Sequence, residues 1–132
     1  ETMKKLLMVF GAGSLGGLGN SLVVWLFGMY GISQSLGVSI APGLSPDWLY
    51  PRIVWGGLWG FLFLLPVLNN RLWAQTFVLS LFPTMIQLFL VFPYQTPHGV
   101  AGLGLGTLTP LLVIVFNWVW ALVTAVALRM GR

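Results

Sequence analysis

Few side chains in this sequence could take part in a reaction, and they do not form a recognisable set. Histidine occurs once, as His98, and the only acidic residue away from the first position is Asp47. Acid–base catalysis commonly uses paired carboxylates or a histidine, and a nucleophilic serine or cysteine needs a base beside it. Cysteine is absent, and the serines have a single histidine among them. We therefore expect no catalytic residue and no enzymatic activity; an enzyme would require His98, Asp47 and Arg52 to converge.

Metal and cofactor sites are equally unsupported by the sequence. A metal centre would need two or three further ligands beside His98, and its neighbourhood offers only Tyr94 and Gln95. The glycines of LLMVFGAGSLGG match G-x-G-x-x-G, but no acidic residue follows about 20 positions later to bind a ribose. We expect neither a metal nor a cofactor.

The elements that position these side chains follow from composition. Of 132 residues, 58% are hydrophobic and 6% are charged, whereas about a quarter of a soluble domain is charged. This indicates an integral membrane protein in contact with the lipid bilayer. The net charge of +4 comes from scattered cations, which cannot neutralise a run of phosphates, so we expect no nucleic-acid partner.

A bilayer core of about 30 Å requires about 20 helical residues per crossing. Apolar runs of suitable length predict an all-α, four-transmembrane-helix bundle that forms one domain over residues 1–132. The predicted helices cover residues 6–30, 53–68, 72–92 and 110–128.

The connections between these helices carry their own signals. An outer segment covers residues 31–50, in which Ser45 and Pro46 predict a helix start. The turn at Asn69-Asn70-Arg71 predicts an antiparallel hairpin, and Thr109 with Pro110 predicts the start of the last helix. A glycine-rich outer loop covers residues 93–107. It could be re-entrant, although we favour a loop at the membrane interface.

The cations predict the orientation of the chain. Four crossings place both termini on one side together with the turn before the third helix. That side carries five of the six cations, and the other side carries Arg52 alone; the five are Lys4, Lys5, Arg71, Arg129 and Arg132. The excess predicts that both termini are cytoplasmic, and we expect the membrane to be a bacterial inner membrane.

Uncharged polar residues fall at similar depths on the predicted helices. Helical spacing places them on inward faces, where they form a candidate polar layer of Asn20, Ser80, Thr84, Gln87 and Asn117. We favour hydrogen bonds between helices as their role, with a path for a small solute as the alternative.

Small residues recur at four-residue spacing on the first two helices. They form candidate helix-packing faces at Gly13, Gly16, Gly17, Gly56 and Gly60. Such faces let helix backbones approach closely. We favour packing within the chain, with a seam to a second copy or another membrane protein as the alternative.

A last group lies at the outer mouth or membrane interface: Asp47, Arg52, Trp55 and His98. For Arg52 we favour an interfacial anchor beside Trp55 and Trp59. The alternatives are a pair with Asp47 or with an anionic ligand. We expect His98 to be a solvated loop residue.

The glycine-rich first helix is loosely similar to that of the small fluoride channels. Asn20 stands where a cation is expected after the glycines, and the charge bias opposes dual topology, so we assign the sequence to no family. The combined features predict a self-associating structural or interaction protein, or a subunit of a membrane complex packed through its glycine faces. The alternative is a small passive channel or transporter.

Overall fold

The computed structural model describes residues 2–65, 68 and 70–131. All regular structure in these residues is helical, which confirms the all-α prediction. The four long helices are α1 (Thr2–Met29), α2 (Pro46–Trp59), α3 (Leu72–Ile86) and α4 (Thr109–Met130). The shorter elements are single α-helical turns at Ile32–Ser35 and Phe92–Gln95, 3-10 helices at Gly60–Leu64 and Val100–Leu105, and a π-helix at Gln87–Val91.

Three stretches are long and apolar enough to cross a membrane. They are Thr2–Met29, Leu72–Gln95 and Thr109–Met130. The second joins α3 to the π-helix and the turn that follow it without a break. These stretches indicate a membrane protein, in agreement with the composition.

Local signals explain where the helices begin and end. Gly31, with a φ of 76°, ends α1, because glycine tolerates the left-handed conformation that commonly terminates a helix. The predicted start of α2 is confirmed: the Ser45 side chain accepts a hydrogen bond from the Trp48 backbone N–H, and Pro46 occupies the first turn. Helix α2 therefore begins within the segment predicted as an outer connection.

The start of α4 differs from the prediction by one residue. Leu108 is the capping residue and makes no side-chain cap, while Thr109 is already helical. The Thr109 backbone N–H instead donates to the Gly106 carbonyl at 3.2 Å. A backbone hydrogen bond in the preceding turn therefore replaces the expected side-chain cap. The buried Thr109 hydroxyl has no hydrogen-bond partner.

The long helices lie side by side in the order α2, α1, α4, α3. Gly13 of α1 lies against Gly56 of α2 and against Gly60, the first residue of the 3-10 helix that follows α2, while Gly16 lies against Trp120 and Thr124 of α4. Helix α3 packs mainly against α4. Along each pair of neighbours, the contacting residue numbers rise in one helix while they fall in the other. Every neighbouring pair is therefore antiparallel.

This order corrects the predicted hairpin. Helices α2 and α3 are consecutive in sequence, but the principal neighbour of α3 is α4. Asn69, in the turn on which that prediction rested, lies outside the described residues, as does Arg132 of the charge count. Short turns usually join neighbouring helices; here α3 packs on α4, which also packs on α1, and makes few contacts with α2.

The helices have two ends. We call the end that contains Thr2, Arg71 and Met130 the terminal end, and the opposite end the loop end. At the loop end, residues 31–45 and 96–108 pack on each other. The Ser39 backbone N–H donates to the Leu105 carbonyl at 2.8 Å, and Gly106 lies against the Gly37 backbone. Val38 is buried in a cluster with Val24, Leu112 and Phe116. The outer segment and the glycine-rich loop therefore cover the loop end of the helices together.

Candidate functional site

Polar side chains form a band across all four helices, closer to the loop end, in two groups on opposite sides of α4 that are joined by the α4 backbone at Phe116 and Asn117. Its first member is Arg52 of α2. The Arg52 Nε donates to the Ser21 hydroxyl at 2.8 Å, and Nη2 donates to Asn20 Oδ1 at 2.6 Å. The guanidinium carbon lies 4.7 Å from the centre of the Trp48 ring, within the range of a cation–π contact. The guanidinium is thus held by two α1 side chains and one indole.

Local helix geometry explains this placement. Side chains in a helix lean toward its N-terminus, over the residue four positions earlier, and Trp48 is four residues before Arg52. On the α1 side, a Cβ at Gly17 would lie 2.7 Å from the Arg52 carbonyl oxygen and 3.1 Å from the Ile53 Cα. Because Gly17 has no side chain, the two backbones meet closely at this level and Arg52 can reach across.

Asn20 continues the band from α1 to α4. Its Oδ1 accepts from Arg52, and its Nδ2 donates to the Phe116 carbonyl at 2.6 Å. The residue is buried, with an exposed fraction of 7%. Both polar atoms of this amide are therefore hydrogen bonded, as burial away from water requires.

Asn117, the next residue of α4, carries the band to α3. Its Nδ2 lies 2.9 Å from the Thr84 hydroxyl and 3.4 Å from Gln87 Oε1. Thr84 also donates to the Ser80 carbonyl, and Ser80 donates to the Phe77 carbonyl. All five residues of the candidate polar layer thus lie between or against helices, divided between the two sides of α4.

The π-helix that follows α3 positions Gln87. Pro83 lies within α3 and Pro93 just beyond the π-helix. Each lacks a backbone N–H, so the regular hydrogen-bond ladder cannot pass through it. The wider π turn begins at Gln87, and the Gln87 side chain reaches Asn117 there. Such bulges often occur at functional positions, and here the bulge places an amide in the band.

Two tryptophans make a second set of contacts toward the terminal end. The Trp120 Nε1 donates to the Gly13 and Gly56 carbonyls, both at 3.2 Å, and so links α4 to α1 and α2. The Trp118 Nε1 donates to the Thr76 hydroxyl at 2.9 Å and links α4 to α3. Neither indole was predicted from the sequence to have a role.

The candidate packing glycines all make their contacts within one chain. Gly13, Gly17, Gly56 and Gly60 form the contact of α1 with α2 and the 3-10 helix that extends it, and Gly16 lies against Trp120. All five are buried. Close approach of two helix backbones explains why small residues recur on both helices.

The remaining candidate residues lie apart from the band. Asp47 is exposed in the first turn of α2, and Trp55 has an exposed fraction of 61%. His98 lies in the loop, where its ring packs edge-on against Phe92 and its backbone N–H donates to the Thr96 hydroxyl. In the described part of the chain, no three His, Asp or Glu side chains come together as a metal site would require.

The band consists of a cation, three amides and hydroxyls that bond to one another or to backbone carbonyls. Such an arrangement holds helices together and offers no nucleophile paired with a base. No family model, curated protein or solved structure matches this chain.

Three members of the site were not identified from the sequence. Trp48 could have been found from its four-residue spacing to Arg52, and Ser21 from its position beside Asn20. The Phe116 carbonyl carries no sequence signal, because any residue provides the same backbone oxygen.

Proposed function

We propose that this chain is a four-crossing protein of the bacterial inner membrane, with both termini cytoplasmic, and that it serves as a structural or interaction component. The observation that carries this role is the polar band. Its amides form hydrogen bonds to neighbouring helices, so the polar side chains in the interior hold the helices together. Two cavities, of about 520 and 460 Å³, lie elsewhere and are lined by none of the band residues.

Geometry supports α2 as the fourth crossing. Helix α2 and the 3-10 helix that extends it cover Pro46–Leu64, which corresponds to a length of about 31 Å and matches a hydrocarbon core of about 30 Å. Helix α2 runs from the loop end to the terminal end, antiparallel to α1. This returns the chain to the side from which α3 begins.

Charge supports the orientation. The cations at the terminal end include Lys4, Lys5, Arg71 and Arg129, whereas Arg52 lies toward the loop end. Positively charged residues near the ends of membrane helices favour the cytoplasmic side. The terminal end is therefore the cytoplasmic end in this proposal.

Labelling of single cysteines tests the topology, since the chain has no cysteine of its own. We expect a membrane-impermeant maleimide to label Leu44→Cys and Tyr94→Cys in intact cells. Lys4→Cys, Asn70→Cys and Met130→Cys should react only after the membrane is opened. All five positions are exposed. Labelling of positions 44 and 70 from the same side would contradict a crossing by α2.

The interaction role points to the α3 edge of the row. Helix α3 packs mainly against α4, which leaves a face of aromatic and methionine side chains exposed, including Trp73, Phe82, Met85 and Phe89. Aromatic residues and methionine are enriched in protein interfaces. A second copy of the chain, packed on this face, is the partner we propose.

Mass measurement in detergent tests this association. We expect the wild-type particle to contain at least two copies, and the double variant Phe82→Ala/Met85→Ala to shift toward one copy because it removes apolar contact area. The matched control is Leu15→Ala/Leu22→Ala, on the exposed part of α1, which should keep the wild-type mass. A monomeric wild type, or the same shift in both variants, would reject the α3 interface.

A further inference from the structure

A cleft opens at the terminal end between the 3-10 helix that follows α2 and helix α3. Its volume is about 520 Å³, which lies within the range of small-molecule sites. Helices α1 and α4, together with Leu65 and Asn70 of the connection, provide the rest of its wall. The cleft exists because α2 and α3 pack against different neighbours and leave a space between them.

The lining of the cleft combines two kinds of surface. One part is apolar and includes Met8, Phe63 and Leu128; the other is polar and includes Lys5, Gln75 and Arg129. Lys5 lies near the start of α1 and Arg129 in the last turn of α4. The two cations thus come from opposite termini of the chain and meet at one cavity.

The charge of this cleft is not balanced by an acidic side chain in its lining. Asp47, the acidic residue in the described part of the chain, lies at the start of α2, toward the loop end. An arginine and a lysine are donors suited to phosphate oxygens. An inorganic anion would leave the adjoining apolar wall uncovered, whereas the hydrocarbon chain of a lipid would cover it.

We propose that this cleft binds an anionic phospholipid, with the phosphate between Lys5 and Arg129 and an acyl chain along the Met8, Phe63 and Leu128 wall. Basic pockets between membrane helices on the cytoplasmic side bind anionic head groups in this manner. The inference rests on the proposed topology, which places the cleft in the cytoplasmic leaflet. It adds a specific lipid to the structural role.

Lipid retention by the purified full-length chain tests the proposal. The protein is prepared in detergent with phosphatidylglycerol or with phosphatidylcholine, and bound lipid is counted by native mass spectrometry. We expect one phosphatidylglycerol to be retained in preference to phosphatidylcholine. Lys5→Gln and Arg129→Gln should each weaken this binding by about five-fold, the value of one cation at an anionic membrane surface.

Matched controls separate a specific site from general attraction. Lys4→Gln and Arg71→Gln remove the same charge from exposed positions at the same end, outside the cleft lining, and should change retention by less than about two-fold. Equal losses in all four variants, or equal retention of the two lipids, would overturn the proposal. Complete displacement by millimolar inorganic phosphate would also overturn it, since the site would then be a phosphate site. Far-ultraviolet circular dichroism checks that each variant is folded.

The experiment also separates this inference from the proposed topology. Lipid counting in detergent does not depend on which side the termini face, and cysteine labelling does not depend on bound lipid. Preferential retention together with contradictory labelling would move the lipid to the other leaflet and reject only the topology. Correct labelling without preferential retention would reject only the lipid site.

Discussion

Replacing Gly13 by alanine is expected to lower the free energy of unfolding by about 1–3 kcal/mol, the range for overpacking a tightly packed site. The added methyl group would lie 2.8 Å from the Gly60 Cα and still closer to the Gly56 carbonyl oxygen. These are backbone atoms, so no side chain can rotate away, and α1 and α2 must separate. Chemical unfolding in detergent, followed by tryptophan fluorescence, measures the loss.

Gly11→Ala is the matched control, two residues earlier on the same helix. A Cβ at Gly11 would meet no atom within 4 Å. Because alanine has the higher helix propensity, this variant should be at least as stable as the wild type. Equal destabilisation by the two substitutions would show that the close contact between α1 and α2 does not form.

The same contact changes how self-association should be tested. A substitution at Gly13 or Gly56 would disturb packing within one chain before it affected any second chain. Loss of a dimer in such a variant would therefore not identify the dimer interface. Exposed residues of α3 are the informative positions.

Replacing Arg52 by alanine is expected to destabilise the protein by about 3 kcal/mol, because hydrogen bonds to a charged group contribute about 1.5–3 kcal/mol. The substitution leaves Ser21 Oγ and Asn20 Oδ1 without their donor. It also removes the contact with the Trp48 ring. Unfolding in detergent measures the change, and Arg52→Lys should recover only part of it, since an ammonium group lacks the planar fork.

Two controls identify the partners of Arg52. Arg71→Ala removes an exposed cation at the terminal end and should lower the free energy of unfolding by less than about 0.5 kcal/mol. Asp47→Asn should cost about 0.3–1 kcal/mol, the value of an acidic residue near a helix N-terminus. If Asp47→Asn were as damaging as Arg52→Ala, the alternative pairing of Arg52 with Asp47 would hold instead of the α1 contacts.

The helical membrane architecture could be predicted from the sequence because it depends on composition and on local signals. A low charge content and long apolar runs require helices that satisfy their own backbone groups in lipid. The start of α2 was also predictable, because Ser45 and Pro46 act within one turn. The helix order was less predictable, since α3 prefers α4 over its sequence neighbour α2.

The candidate polar residues were identified by the same reasoning, but their partners were not. Helical spacing placed Asn20, Thr84 and Asn117 on inward faces, because an amide or hydroxyl in lipid lacks hydrogen bonds. Whether Asn20 would reach Gln87, Asn117 or a backbone carbonyl depends on how each helix is rotated. In the structure it reaches the Phe116 carbonyl and Arg52.

Arg52 shows most clearly which features depended on the sequence alone and which depended on the tertiary structure. By itself the sequence determined that one cation lies at the loop end, close to the start of a helix. Lipid head groups and Asp47 were both available partners at that level. Only the tertiary structure placed the α1 side chains within 3 Å of the guanidinium. It did so because glycine contacts bring α1 and α2 close together, and that approach joins residues more than 30 positions apart.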